Sequence, residues 1–223
     1  MQHNIIQALK QCPLFENMPE TDIDEALAGI SYKIVNIDKK DIYALGGFPC
    51  NHADIVLQGK MVARMVGASG KQMEVIRLKA GDVIAPNFIY AANNNMPVTV
   101  ETETKVYIFR MKPDTLKTLI DTHETIRWNF IHILSDIGSY LASKIKFLSL
   151  LTVREKVIFY LRSEIQQQKS LTITLAKSRQ HIADSFAIQK FSLMRCLADL
   201  ANEGIIKING KEITIQDIKK LRL

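Results

Sequence analysis

The chain has little of what covalent chemistry or membrane insertion requires. Cysteine is scarce: Cys12, Cys50 and Cys196 are odd in number and far apart, with no CxxC or other zinc spacing. That excludes a disulfide framework and a four-thiolate iron–sulfur cluster, and leaves free thiols. No stretch reaches the roughly 18 uninterrupted apolar residues of a membrane helix. The opening segment, MQHNIIQALKQC, has neither a charged n-region nor an apolar h-region, so no signal peptide is expected and the cytoplasm is the default compartment. The five histidines, at positions 3, 52, 123, 132 and 181, show no metal-binding spacing, and no metal site is expected. Gly67-Ala68-Ser69-Gly70-Lys71 hints at a phosphate loop but has Met65 where the first glycine belongs and Gln72 where Ser or Thr belongs; it reads as a hairpin tip. Asp22-Ile23-Asp24-Glu25 suits a helix start rather than a calcium site. With no nucleophile elbow and no Cys–His pairing either, the chain is not expected to be an enzyme.

What is present is a basic charge confined to one end. The net charge is +6, yet residues 1–149 carry 16 Lys or Arg against 16 Asp or Glu, and residues 150–223 carry 13 against 7. A neutral body with a basic end points to an anionic partner, nucleic acid first. Apolar residues make up 47% of the chain, enough to bury real cores, and the length favours two modest domains.

Residues 3–31 read as short helices punctuated by Pro13 and Pro19. From about 32 to 111 the texture is β, with Ile34-Val35-Asn36-Ile37, Ile55-Val56-Leu57, Met61 to Val66, Met73 to Leu78 and Val106 to Phe109 separated by glycines. Short strands at even spacing with Gly turns suggest a small barrel or jelly roll. A helical stretch then runs from about Pro113 to Leu148. In it Ile126, Phe130, Ile133, Ile137, Tyr140, Lys144 and Phe147 alternate at spacings of four and three, a heptad seam widened by Leu134, Leu141 and Leu148. A buried core helix is one reading of that seam; a parallel two-fold dimer, held by Ile126, Phe130, Ile133, Ile137, Tyr140 and Leu141, is the other. After it come an amphipathic helix from Val153 to Gln166, a strand from Leu171 to Leu175, two helical segments, and a hairpin whose Asn209-Gly210 predicts a type I′ turn.

Arg179 to Leu197 fits a helix-turn-helix. Ala183 is the small residue at the crossing; Ile182, Phe186, Ile188, Leu193 and Leu197 pin it; Ala187 holds the turn. The second helix then presents Gln189, Lys190, Ser192 and Arg195 outward, where they can donate to base edges or phosphates in a major groove.

These residues resemble the bacterial CRP/FNR transcription regulators over essentially the full length. Ile55-Val56-Leu57-Gln58-Gly59-Lys60-Met61-Val62 and Leu78-Lys79-Ala80-Gly81-Asp82-Val83 are similar to that family's roll motifs. Arg179-Gln180-x-Ile182-Ala183, Arg195-x-Leu197 and Asn209-Gly210-Lys211 are similar to its C-terminal ones. The resemblance implies an α+β chain: a cyclic-nucleotide-binding-like β-roll at 1–112, a long dimerisation helix at 113–148 and a winged helix-turn-helix at 149–223. It implies a homodimer on a two-fold double-stranded DNA operator, with RNA polymerase as a further partner, and Arg179, Gln180 and Lys211 on phosphates. The recognition helix departs from the family's Ser-Arg-Glu-Thr-Val-Ser-Arg: Lys190 cannot grip guanine bidentately, and Phe191 cannot accept from cytosine but suits a thymine methyl.

The roll departs further. Ala85-Pro86 and Met96-Pro97-Val98 stand where the cyclic-nucleotide binders of the family carry Gly-Glu and Arg-Ser-Ala, and no arginine occurs from Leu78 to Phe109. A buried phosphate without a charged partner is expensive, so cyclic AMP is not the expected effector. An effector pocket is expected around Pro86, Met96, Trp128 and His132. Haem is one family option, with His123, His132, Cys50 or a methionine as axial ligand; another small molecule, no effector at all, or a regulatory module of the cyclic-nucleotide type are the alternatives.

Overall fold

A computed structural model of the chain describes residues 2–67 and 72–221; the glycine-rich tip read above as a failed phosphate loop lies largely at 68–71, outside them. The chain divides into two compact units, Met1–Ser139 and Tyr140–Leu223.

The first unit opens with α1 (Gln2–Leu9), a single 3-10 turn at Pro13–Phe15 and α2 (Glu20–Ala28). Pro19 caps α2, and Glu20 and Asp22 lie in its first turn, where the helix dipole favours acidic groups. The strands follow: β1 (Tyr32–Ile37), β2 (Ile42–Ala44), β3 (Ala53–Gln58), β4 (Lys60–Val66), β5 (Gln72–Lys79), β6 (Val83–Ile84), β7 (Thr99–Thr102) and β8 (Val106–Met111). They form two antiparallel four-stranded sheets, ordered β1-β8-β3-β6 and β2-β7-β4-β5, which is the jelly roll that the strand spacing predicts. Val56, Met61, Ala63, Leu78, Ile84, Val100, Val106 and Ile108 fill the space between them. Both motif glycines are required by the backbone. Gly59 (φ +102°) and Gly81 (φ +93°) have positive φ, and a Cβ there would sit 2.4 Å from Lys105 O and 2.6 Å from Gln11 O.

The expected single helix from Pro113 to Leu148 is two helices, α3 (Pro113–Thr122) and α4 (Glu124–Leu150). His123 between them is extended (φ −120°, ψ 108°), and Thr122 turns its hydroxyl back onto Thr118 O at 2.7 Å and onto His123 Nδ1 at 2.8 Å. Such local bonds compete with helix continuation without any Gly or Pro to announce it.

At its N-terminal end the heptad seam follows the buried-core reading. Ile126 and Phe130 are buried among Leu9, Leu14, Phe15, Leu116 and Leu119 of their own unit, with Ile133 half-buried against the same core. Ile126 and Phe130 are spent in the core of their own unit. Displaced by one residue, a second four-three series, Ile131, Leu134, Gly138, Leu141, Ile145 and Leu148, runs along α4 with Ile131, Leu141 and Ile145 exposed, while Leu134 packs against the roll's core as Ile133 does and Leu148 is half-buried. Ile137 is half-buried and Tyr140 exposed, so of the six seam residues expected only Tyr140 and Leu141 face solvent.

The second unit holds the end of α4, α5 (Val153–Gln168), β9 (Thr172–Thr174), α6 (Arg179–Ser185), α7 (Lys190–Asn202), β10 (Ile206–Asn209) and β11 (Glu212–Ile215). Thr152 and Glu155 close a capping box at the start of α5. The sheet order is β10-β11-β9, all antiparallel, and Ile173, Ile206, Ile213 and Ile215 pack beneath α5, α6 and α7.

Candidate nucleic-acid interface

The interface is built on the crossing of α6 and α7. Ser178 caps α6, its hydroxyl accepting from His181 N at 3.2 Å. Ala183 is fully buried at the crossing, and Ile182, Phe186, Leu193 and Leu197 are buried around it, as the spacing predicts. The turn between the helices returns through Ile188 N to Ala183 O at 3.0 Å. Ala187 in that turn has φ +54°, the left-handed conformation that glycine adopts without strain.

With Leu193, Cys196, Leu197 and Leu200 facing the core, α7 turns the opposite stripe outward: Lys190, Phe191, Met194, Arg195 and Ala198 are exposed, with Gln189 at the cap and Ser192 half-buried. Met194 was not singled out by sequence; the i, i+3, i+4 spacing from Phe191 would have found it. Among the described residues neither Lys190, Arg195 nor Lys211 enters an ion pair, whereas in the roll Arg64, Arg77, Lys105 and Arg110 are each paired with a carboxylate. Lys190 and Arg195 lie on α7 and Lys211 on the wing.

The wing is the β10–β11 hairpin. Pairing ends at Asn209 opposite Glu212, so the two central residues are Gly210 and Lys211, with positive φ at Gly210 alone. That is the pattern of a type II′ turn, one residue on from the Asn-Gly I′ turn expected. Arg179 Nη2 donates to Gly210 O at 2.6 Å, which ties the wing tip to the start of α6; Arg179 Nε is buried and unpartnered. Arg179 thus holds the wing with one arm of the group expected on a phosphate. Gln180 Nε2 donates to Asp184 Oδ1 at 3.1 Å. Beneath the turn, the buried Lys156 donates from Nζ to Leu148 O at 2.9 Å, in the last turn of α4, and to Phe186 O at 3.3 Å, at the cap of α6. Both are carbonyls that a helix end leaves unpaired.

In the first unit a cleft of about 460 Å³ is lined by residues of β2, the Leu45–His52 segment, Met96 and Arg110. Of the expected pocket residues only Met96 lines it. Pro86 is buried in a 3-10 turn, and Trp128 and His132 are exposed on α4, their rings 6.4 Å apart. Of the axial ligands considered for haem, His123 and His132 stand outside the cleft, whereas Cys50 and a methionine, Met96, line it. The residue that sequence reading missed is Arg110, one position past the arginine-free stretch. Its guanidinium is held by the fully buried Asp54 at 2.6–3.1 Å, and Tyr43 donates its hydroxyl to the same carboxylate at 2.7 Å. A cation neutralised in this way leaves the cleft without free positive charge for a phosphate. Burial first, and Arg110 second, hold His52 below the ordinary imidazole value, and burial pushes the Cys50 thiol up. Among the described residues no group of three or more His, Cys, Asp or Glu is placed to hold a metal, and no helix is long and apolar enough to cross a membrane.

Residues 149–223 match the family described as the Crp-like helix-turn-helix domain. No curated protein sequence matches the chain. Among solved structures, the c-di-GMP responsive global regulator CLP of Xanthomonas campestris shares 16% identity at a TM-score of 0.64, over 89% of this chain and 100% of its own. A regulator of the crp/fnr family from Eubacterium rectale shares 17% at 0.63, over 95% and 97%. The catabolite activator protein of Thermus thermophilus shares 15% at 0.57, over 94% and 96%.

Proposed function

We propose that this chain, which has the CRP/FNR regulator fold and carries a Crp-like helix-turn-helix domain at residues 149–223, is a dimeric, sequence-specific regulator of transcription acting on double-stranded DNA in the cytoplasm. The observation that carries this is the set of exposed, unpaired cations on the outward stripe of α7 and on the wing: Lys190, Arg195 and Lys211. Arg195 offers the bidentate fork that matches guanine O6 and N7, Lys190 a point charge, and Lys211 a phosphate contact that positions without specifying. Gln180, Gln189 and Ser192 add neutral donors at the same edge.

Two copies meet along the outward series of α4, Ile131 to Leu148, which sets two recognition helices on a two-fold site. The division of labour is a sensory roll at 1–112, a helical connector at 113–148 and a DNA-reading head at 149–223, with RNA polymerase as the further partner and no catalysis. The effector is a small molecule other than cyclic AMP: Met96 is buried where a phosphate-binding arginine would stand, and Arg110 is already neutralised by Asp54. Whatever effector strengthens DNA binding must itself bind tighter to the DNA-bound form.

Selection of bound duplexes from a random pool tests the reading. A site with two related halves about one helical turn apart is expected, with an affinity that falls steeply with salt. Binding that ignores salt, or no enrichment, would overturn it. Cyclic AMP is expected to leave the melting temperature unchanged; a rise of several degrees would refute the pocket argument.

A further inference from the structure

Phe191 is 75% exposed in the first turn of α7, the largest apolar surface on any side chain of the reading stripe. Met194, one turn on, is 37% exposed, and Ala198 lies exposed one turn beyond that. Neither Phe191 nor Met194 belongs to the core of its unit, and Phe191 stacks on no other ring among the described residues. Three apolar side chains thus flank a single arginine on the edge of a helix whose N-terminal residues, in this class of motif, enter the major groove. The major-groove edge of a base pair is polar everywhere except at one place, the methyl on carbon 5 of a pyrimidine: thymine by default, cytosine when methylated. Phe191 and Met194 are separated by about 4.5 Å along the helix axis at 1.5 Å per residue, close to one base-pair step of about 3.4 Å.

We infer that Phe191 and Met194 are specificity-determining residues that read 5-methyl groups on two neighbouring pyrimidines, beside a guanine held by Arg195. The inference rests on the DNA-binding reading above and adds to it the chemistry of the half-site. Lys190 and Lys211 then supply affinity without choosing the sequence, and the choice falls to one hydrogen-bonding fork and two methyl contacts. Because both apolar side chains are exposed in the free protein, truncating them leaves the core of the unit intact, and a loss of binding is a loss at the DNA.

The experiment uses the full chain and the duplex it enriches most strongly from a random pool, compared with the same duplex carrying deoxyuridine for thymidine at single positions. Uracil keeps every hydrogen-bonding group of thymine and lacks only the methyl. Burial of one methyl is worth about 0.8 kcal/mol, so each substitution beneath Phe191 or Met194 is expected to weaken binding about fourfold, and all four in a two-fold site together about 200-fold. Phe191→Ala and Met194→Ala should each bind the thymine and uracil duplexes equally at the position their side chain covered. A parallel pair of duplexes with cytosine or 5-methylcytosine at those positions tells the two methyl sources apart; preference for the methylated base in either arm supports the contact. Equal binding of methylated and unmethylated duplexes in both arms, or a methyl preference that survives both truncations, overturns it. Steep salt dependence together with indifference to methyls would sink this inference alone, whereas failure to enrich any DNA would sink the DNA-binding reading and this inference with it.

Discussion

Replacing Ile145 by aspartate separates the two faces of the long helix. In the isolated chain Ile145 is 64% exposed and lies toward the C-terminal end of the outward series. Complete burial of an isoleucine is worth about 1.5–3 kcal/mol, so covering the exposed part by a partner recovers about 1–2 kcal/mol per copy. A two-fold interface uses the same residue twice, which makes the loss about 2–4 kcal/mol, or roughly 30- to 700-fold in the dimer dissociation constant. Two aspartates facing each other across the axis add to that, so these figures are a floor. Sedimentation equilibrium over a concentration series reads the constant directly, and thermal unfolding below it should show the single chain as stable as before. The comparison is Ile126→Ala. That side chain is fully buried in its own unit, and its truncation should cost about 2–5 kcal/mol of folding stability while leaving association of the folded chains unchanged. An Ile145→Asp variant that dimerises as tightly as the parent would refute the outward seam, and dissociation by Ile126→Ala without loss of stability would reinstate the inward one.

Three more expectations concern single residues. Ala187→Gly relieves the left-handed φ of +54° at the helix-turn-helix turn and should raise the stability of the second unit by about 0.5–1 kcal/mol, read as a higher urea midpoint; a lower midpoint would mean the turn is not strained. Burial pushes the Cys12 thiol up to about 12 from an ordinary value of 9.0, so the folded chain keeps a proton that the unfolded chain releases. The stability this provides is complete below pH 9 and falls by about 1.4 kcal/mol per pH unit above it until the folded value is reached; denaturation at pH 8 to 10.5 should show a slope that Cys12→Ala flattens. Arg195→Ala should cost about 1–3 kcal/mol on the selected site and relax its sequence, whereas Lys211→Ala should weaken every duplex alike and reduce the salt slope by about one; footprints on matched and scrambled sites distinguish them.

The roll and the helix-turn-helix are legible because local chemistry fixes them: Gly59 and Gly81 must be glycine, Ser178 and Thr152 cap, and Ala183 is the small residue a crossing needs. The face of α4 is not. Ile126 to Phe147 and Ile131 to Leu148 obey the same four-three rule one residue apart, and only the position of the roll's core decides which series is consumed. The partner of Arg110 is equally invisible in sequence, because Asp54 is 56 residues away and faces it only through the register of β3 on β8. The wing shows the finest limit: Asn-Gly marks the hairpin correctly, yet the ladder holds Asn209 and moves the turn one residue on.

Lys156 bridges two carbonyls, one at the end of α4 and one at the cap of α6. Its ammonium works as a rivet between a shaft and a tool. The C-terminal end of α6 cannot move away from the last turn of α4 without breaking one of these two bonds. In the dimer proposed above, each helix-turn-helix would follow the end of its own α4, and control would act on the separation of the half-sites it reads.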